Sequence, residues 1–341
     1  MQLVFPLVWW VSTAAWILMT SMAVAEDQVT YATGPDGGGR TTVRGTILDH
    51  TGQKLTLRSS IGAPQEIPAS RVLEVSTEWS PTKVNADRLF GDQQYDQALR
   101  LYGQALGDES RVWAQREILA QMICCLRQLE RIEQATDFFL RLVQSDPETI
   151  WFGRIPLSWQ TVQPPPALEK RAEHWLQNAD SPAARLIGAS WLLGTRHRAA
   201  AIEALQRLAS QGPVRIASLA TAQLWRTQAA TVDEAGLERW GDLLQKMPRE
   251  VRPGALYVYA QALAARGHSE RAALAWLRIG LLYADHDRSL AALGLLSAGR
   301  ELERMGDHRQ AASLYREILR DYAGTTTATL ATARLESLDG D

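Results

Sequence analysis

The residues best suited to chemistry in this chain are six histidines, His50, His174, His197, His268, His286 and His308, and the neighbouring thiols Cys124 and Cys125. A metal centre read from sequence needs donors spaced to meet on one helix face or across a tight loop, as in H-E-x-x-H. No histidine here stands in such a spacing, so no metal and no cofactor are expected. Asp285, His286 and Asp287 form the most tempting local group, because carboxylates can hold and tune an imidazole. They also lie where a helix begins, and aspartate there is expected to cap it. Adjacent helical residues point about 100° apart, so Cys124 and Cys125 cannot close a disulfide without leaving the helix. They read as small apolar members of a packed helix.

No nucleophile elbow, phosphate-binding loop or dinucleotide fingerprint occurs, and the glycine-rich GPDGGGR near the start opens no phosphate-binding helix. Acid pairs such as Glu301 and Glu303 alternate with Arg300 and Arg304, a pattern of a solvated charge cluster. The chain is therefore not expected to be an enzyme. Most tryptophans lie in helical stretches where a large ring wedges between helices. Trp151, Phe152 and Trp159 differ, since they fall in the proline-interrupted segment 149–166. There they either tuck against the helices or form a patch, and such a patch would support an alternative reading as an envelope enzyme or glycan-binding protein.

Length and composition set the frame for these residues. The 341 residues carry 36 basic and 38 acidic side chains, a formal net charge of -2 at pH 7 that argues against nucleic acid as a partner. Residues 1–25 contain no charged side chain and end in Ala23, Val24 and Ala25. They read as an export signal, either cleaved before Glu26 or retained as a membrane tether, because an apolar run of about 20 residues is long enough to span a bilayer. Residues 26–40 are glycine-rich and polar and are expected to be a flexible lead-in. From 41 to 78 the period becomes two, with Val43, Gly45 and Ile47, then Leu55 and Leu57, around the turn residues 50–53. This piece resembles the small SH3-like or Sm-like barrels, which implies an interaction or capping module with Val72, Leu73 and Val75 partly packed on the helices that follow.

Beyond Ser80-Pro81 the period is helical to the end. A small residue, an aromatic four later and an apolar residue three after that recur as Ala98, Tyr102, Ala105; Ala135, Phe139, Leu142; Ala272, Trp276, Ile279; and Ala311, Tyr315, Ile318. The pattern resembles the tetratricopeptide (TPR) repeat, over 81–148 and 252–341. The spacings from Ala98 to Ala135 and from Ala272 to Ala311 both exceed that family's repeat of roughly 34 residues. Segment 167–248 reads as divergent TPR- or HEAT-like hairpins. The C-terminal DYAGTTTATLATARL resembles repeats of bacterial envelope proteins, through Tyr322, Gly324, Thr325, Ala328, Ala331 and Ala333.

The resemblance implies a mainly α fold, a right-handed α-solenoid of helical hairpins behind a small all-β domain. It implies a non-catalytic scaffold or adaptor of the periplasm or cell envelope, binding a protein or peptide along its concave face. Mapped onto this sequence, that face carries Lys83, Asp87, Glu117, Gln121, Arg127, Tyr257, Gln261, Arg300, Glu303 and Arg304. It also places Cys124 toward the groove and Cys125 inward.

Overall fold

The structure, a computed structural model, describes residues 26–34, 38–59, 62–284 and 287–339. The expected export signal, residues 1–25, lies outside them, and so do Asp285 and His286. Five strands open the described chain: β1 (Asp27–Thr33), β2 (Gly39–His50), β3 (Lys54–Arg58), β4 (Gln65–Pro68) and β5 (Val72–Ser76). They form one antiparallel sheet in the order β4-β3-β2-β1-β5.

The expected flexible lead-in, 26–40, is thereby corrected. Its first half is β1, paired on both edges, with Val29 opposite Val43 on one side and Val75 on the other. DQVTYAT alternates polar and apolar residues and is rich in strand formers, a signal that the glycine run after it obscured. Asp27 fastens the strand's start, accepting the Ile47 backbone N–H at 2.8 Å and the Thr77 hydroxyl.

The sheet does not hold a core of its own. Val29, Ile47, Leu55, Leu57 and Ile67 bury one face around Trp113 and Ala114, which belong to the helix Val112–Gln128 beyond the sheet. Trp113 is almost fully buried, and its indole N–H donates to the Ile47 carbonyl at 3.2 Å. Leu73, expected against the helices, is instead half-exposed. At the neighbouring turn the Gly52 N–H donates to Asp146 at 2.9 Å, and a Cβ on Gly52 would fall 1.4 Å from the Glu148 carbonyl oxygen. Only glycine allows that approach.

Fourteen α-helices follow among the described residues. α1 (Pro81–Gly91), α2 (Tyr95–Asp108), α3 (Val112–Gln128) and α4 (Ile132–Ser145) make two hairpins. α5 (Pro166–Gln177), α6 (Pro182–Leu192), α7 (Arg198–Gln211), α8 (Val214–Trp225) and α9 (Glu234–Lys246) form the middle. α10 (Arg252–Ala265), α11 (Ser269–Tyr283), α12 (Arg288–Arg304), α13 (His308–Asp321) and α14 (Thr326–Asp339) complete it. Successive helices pack on one another. No described helix is long and apolar enough to cross a membrane.

The recurring residues mark one repeated turn. In α1–α2, α3–α4, α10–α11 and α12–α13 the connection passes through a single left-handed residue: Gln93, Glu130, Gly267 and Gly306, with φ of 60°, 57°, 82° and 82°. The next N–H in each case bonds back to the first helix, from Gln94 to Leu89, Arg131 to Leu126, His268 to Leu263 and Asp307 to Leu302, at 2.8 to 2.9 Å. This is the helix-ending motif in which one left-handed residue lets orphan carbonyls find donors. Five residues after each turn stand Ala98, Ala135, Ala272 and Ala311, all fully buried, with Tyr102, Phe139, Trp276 and Tyr315 one helical turn on. The middle helices connect differently, and none of their turns holds a positive-φ residue.

Within segment 149–166, the stretch from Phe152 to Trp159 packs into the core, while most of 160–166 stays at the surface. Phe152, Ile155, Leu157 and Trp159 join the largest core cluster, which runs from α3 to α12. The Ser158 backbone donates to the Ser190 hydroxyl at 3.0 Å, and its carbonyl accepts from the Gln223 amide at 3.1 Å. Trp159 packs closely on α10, so that a Cβ on Gly254 would come within 1.9 Å of its ring. The alternative patch Trp151, Phe152, Trp159 is corrected accordingly: Phe152 and Trp159 are buried, and Trp151 is partly buried against the same core.

Candidate functional site

The ten residues expected on a concave binding face fall into three groups, and most of them are engaged inside the chain. Lys83 is buried beneath the Trp79 ring, 2.9 Å from Asp87 and 3.1 Å from Glu117, so its charge is spent joining α1 to α3. Asp87 also accepts the Tyr102 hydroxyl at 2.7 Å. At the far end Glu303 takes Arg334 and the Tyr315 hydroxyl, and Arg304 pairs with buried Glu301 at 2.9 Å. Tyr257 is buried in α10, against Trp276 and Ser297. Gln261 is half-buried, and of the ten only Arg300 and Arg304 are exposed.

The third group explains why the face is not open. α3 and α12 meet, bringing Arg127 to Asp287 at 2.5 Å with both side chains almost wholly out of solvent. Asp287 also caps α12, accepting the Leu290 N–H at 3.0 Å, as expected for an aspartate at that position. Gln128 donates to the Ser289 hydroxyl at 2.8 Å. Gln93 reaches the Arg320 carbonyl, and Thr326 donates to Glu130 at 2.6 Å. The helical array thus curls until its first two hairpins touch α12, α13 and α14 at its end. Contacts within the chain occupy much of the face that would hold a ligand in an open solenoid, with Arg154 of segment 149–166 beside them.

A small space persists at this seam. It encloses about 210 Å³ among Gln121, Cys124, Arg127, Arg154, Asp287 and Arg288. Three arginines and one aspartate are among its lining residues, and its size suits a small group rather than a peptide. Cys124 lines it while Cys125 is fully buried, as the helical spacing predicts. Burial holds the Cys125 thiol well above its usual pKa, which keeps it protonated and unreactive.

A larger opening lies elsewhere. A groove of about 710 Å³ runs between α4 and the N-terminal ends of α6 and α8. Leu140, Val143, Pro147, Pro182, Pro213 and Ile216 supply an apolar floor, with Asp137, Arg141, Glu148 and Asp180 at its edges. Arg215 braces one wall, stacked 4.3 Å from the Phe152 centroid and donating to the Thr149 and Pro147 carbonyls at 2.8 and 3.0 Å. Sequence reading missed this groove because its walls come from three helices that are not neighbours along the chain.

No protein-family model matches this chain, and no curated protein matches it.

Proposed function

We propose that this chain is a non-catalytic, exported scaffold that binds a short segment of a partner protein in the groove between α4, α6 and α8. The observation that carries the reading is that groove, whose volume and apolar floor fall in the range of ligand sites. Its mixed-charge rim suits side chains flanking an extended peptide. The four left-handed turns and their buried alanines support a TPR-like reading of 81–148 and 252–341, and residues 1–25 support export. The expected concave face is relocated rather than retained, because Lys83, Arg127, Tyr257 and Glu303 hold the chain together.

A photo-crosslinking residue at Gln144, exposed on the groove rim, and another at Arg300, exposed on the former concave side, separate the two locations in native envelope extract. The proposal expects a discrete adduct at Gln144 that Leu140→Asp removes. Adducts at Arg300 alone would return the partner to the concave side, and none at either position would leave the scaffold reading without support.

A further inference from the structure

Glu169 and Glu173 sit one turn apart on α5, so both carboxylates leave the same helix face. The turn before α7 brings His197 over them. Its Nε2 lies 3.0 Å from Glu173 Oε1 and 3.7 Å from Glu169 Oε1, and the three ligand atoms all fall within 4.8 Å of one another. Tetrahedral zinc with bonds of about 2.0–2.2 Å to nitrogen and oxygen sets its ligand atoms about 3.4 Å apart, midway between these separations. We propose that Glu169, Glu173 and His197 form a binding site for a divalent transition-metal ion of the zinc type, with a fourth position left to water.

The hydrogen-bonding geometry around His197 Nε2 leaves a place for an ion. Arg196 Nε donates to His197 Nε2 at 3.1 Å, while two carboxylate oxygens face the same nitrogen. One imidazole nitrogen cannot accept from arginine and donate to a carboxylate at once. A metal bound to its lone pair satisfies both carboxylates and displaces Arg196, which is mostly exposed and free to swing away. Imidazole with carboxylates is a donor set suited to zinc and its neighbours in the series.

The donors are held before any ion arrives. The Thr195 hydroxyl donates to the Leu192 carbonyl at 3.0 Å and accepts the His197 backbone N–H at 3.1 Å, which fixes the turn that carries the imidazole. Leu168, Ala172 and Trp175 bury the neighbouring face of α5. Side chains fixed by packing lose less entropy on ligation. The site would tie α5 to the start of α7, in the stretch of the array that lacks the left-handed turns.

Isothermal titration of the full chain with zinc chloride tests this. The expected result is one saturable site, weakened at least tenfold by Glu173→Gln and by His197→Ala, each first checked for folding by circular dichroism. Arg196→Ala should tighten binding, since it removes a competing cation without touching a ligand. Cobalt substitution reads the donor set independently: a visible band without sulfur-to-metal charge transfer is expected, whereas a thiolate band would assign the metal to Cys124. No saturable zinc binding, or binding unaltered in both ligand variants, overturns the site.

Discussion

Two residues break the rule that the other repeats obey. At the left-handed turn position the last two hairpins use Gly267 and Gly306, while the first two use Gln93 and Glu130. A side chain in that conformation costs roughly 1–2 kcal/mol. Both exceptions reach across the seam, Gln93 to the Arg320 carbonyl and Glu130 to Thr326. A hydrogen bond returns about 0.5–1.5 kcal/mol, so the strain and the contact come close to offsetting. Glu130→Ala is therefore predicted to lose about 1 kcal/mol by urea denaturation, because it keeps the strain and drops the contact. Glu130→Gly should be near neutral, and equal losses in the two variants would remove the argument. The cysteines give a second residue-scale prediction: a maleimide should label the folded protein at Cys124 alone, and Cys124→Ala should leave it unlabelled until denaturant is added. Rapid labelling of Cys125 in the folded chain would contradict its burial.

At the scale of elements, the sheet depends on α3. Its inner face closes on Trp113, so Trp113→Ala is expected to cost about 3–5 kcal/mol and to release the β module together with its core. Thermal unfolding with separate β and α transitions would be the sign of that release. The same junction gives a pH dependence. Burial lowers the His50 pKa below its ordinary 6.5, against the opposing pull of Asp146 and Asp49. The unfolded chain then binds a proton more readily than the folded one below pH 6.5, so this contribution is complete above 6.5 and is lost as pH falls. The urea midpoint should drop between pH 7.5 and 5.0, and by less in His50→Gln. Local features of this kind divide sharply in how visible they are beforehand. The four hairpins were legible because small, aromatic and apolar residues recur at fixed short spacing. β1 was hidden by the glycines that follow it, and the burial of Phe152 and Trp159 depends on Ser190, Gln223 and Gly254, which lie far along the chain.

At the scale of the whole molecule, helical repeats usually leave a concave face free because each unit touches only its neighbours. Here Arg127 and Asp287, 160 residues apart, meet as a buried pair and join the first half of the array to the last. Breaking such a pair costs about 3–5 kcal/mol, since it strands a charge without a partner. That pairing, like the donor set of Glu169, Glu173 and His197 or the groove walled by α4, α6 and α8, depends on how helices are brought together. No local spacing announces it, which is why the expected ligand face and the structure part company. Spin labels at Asp92 and Ala323, exposed residues beside the Gln93 and Arg320 contact, test the closure most directly in a Cys124→Ala background. The account predicts a single narrow, short distance distribution that broadens and lengthens on Arg127→Ala. A long or broad distribution in the unmodified seam would mean that the array is open, and that its concave face is available to a partner after all.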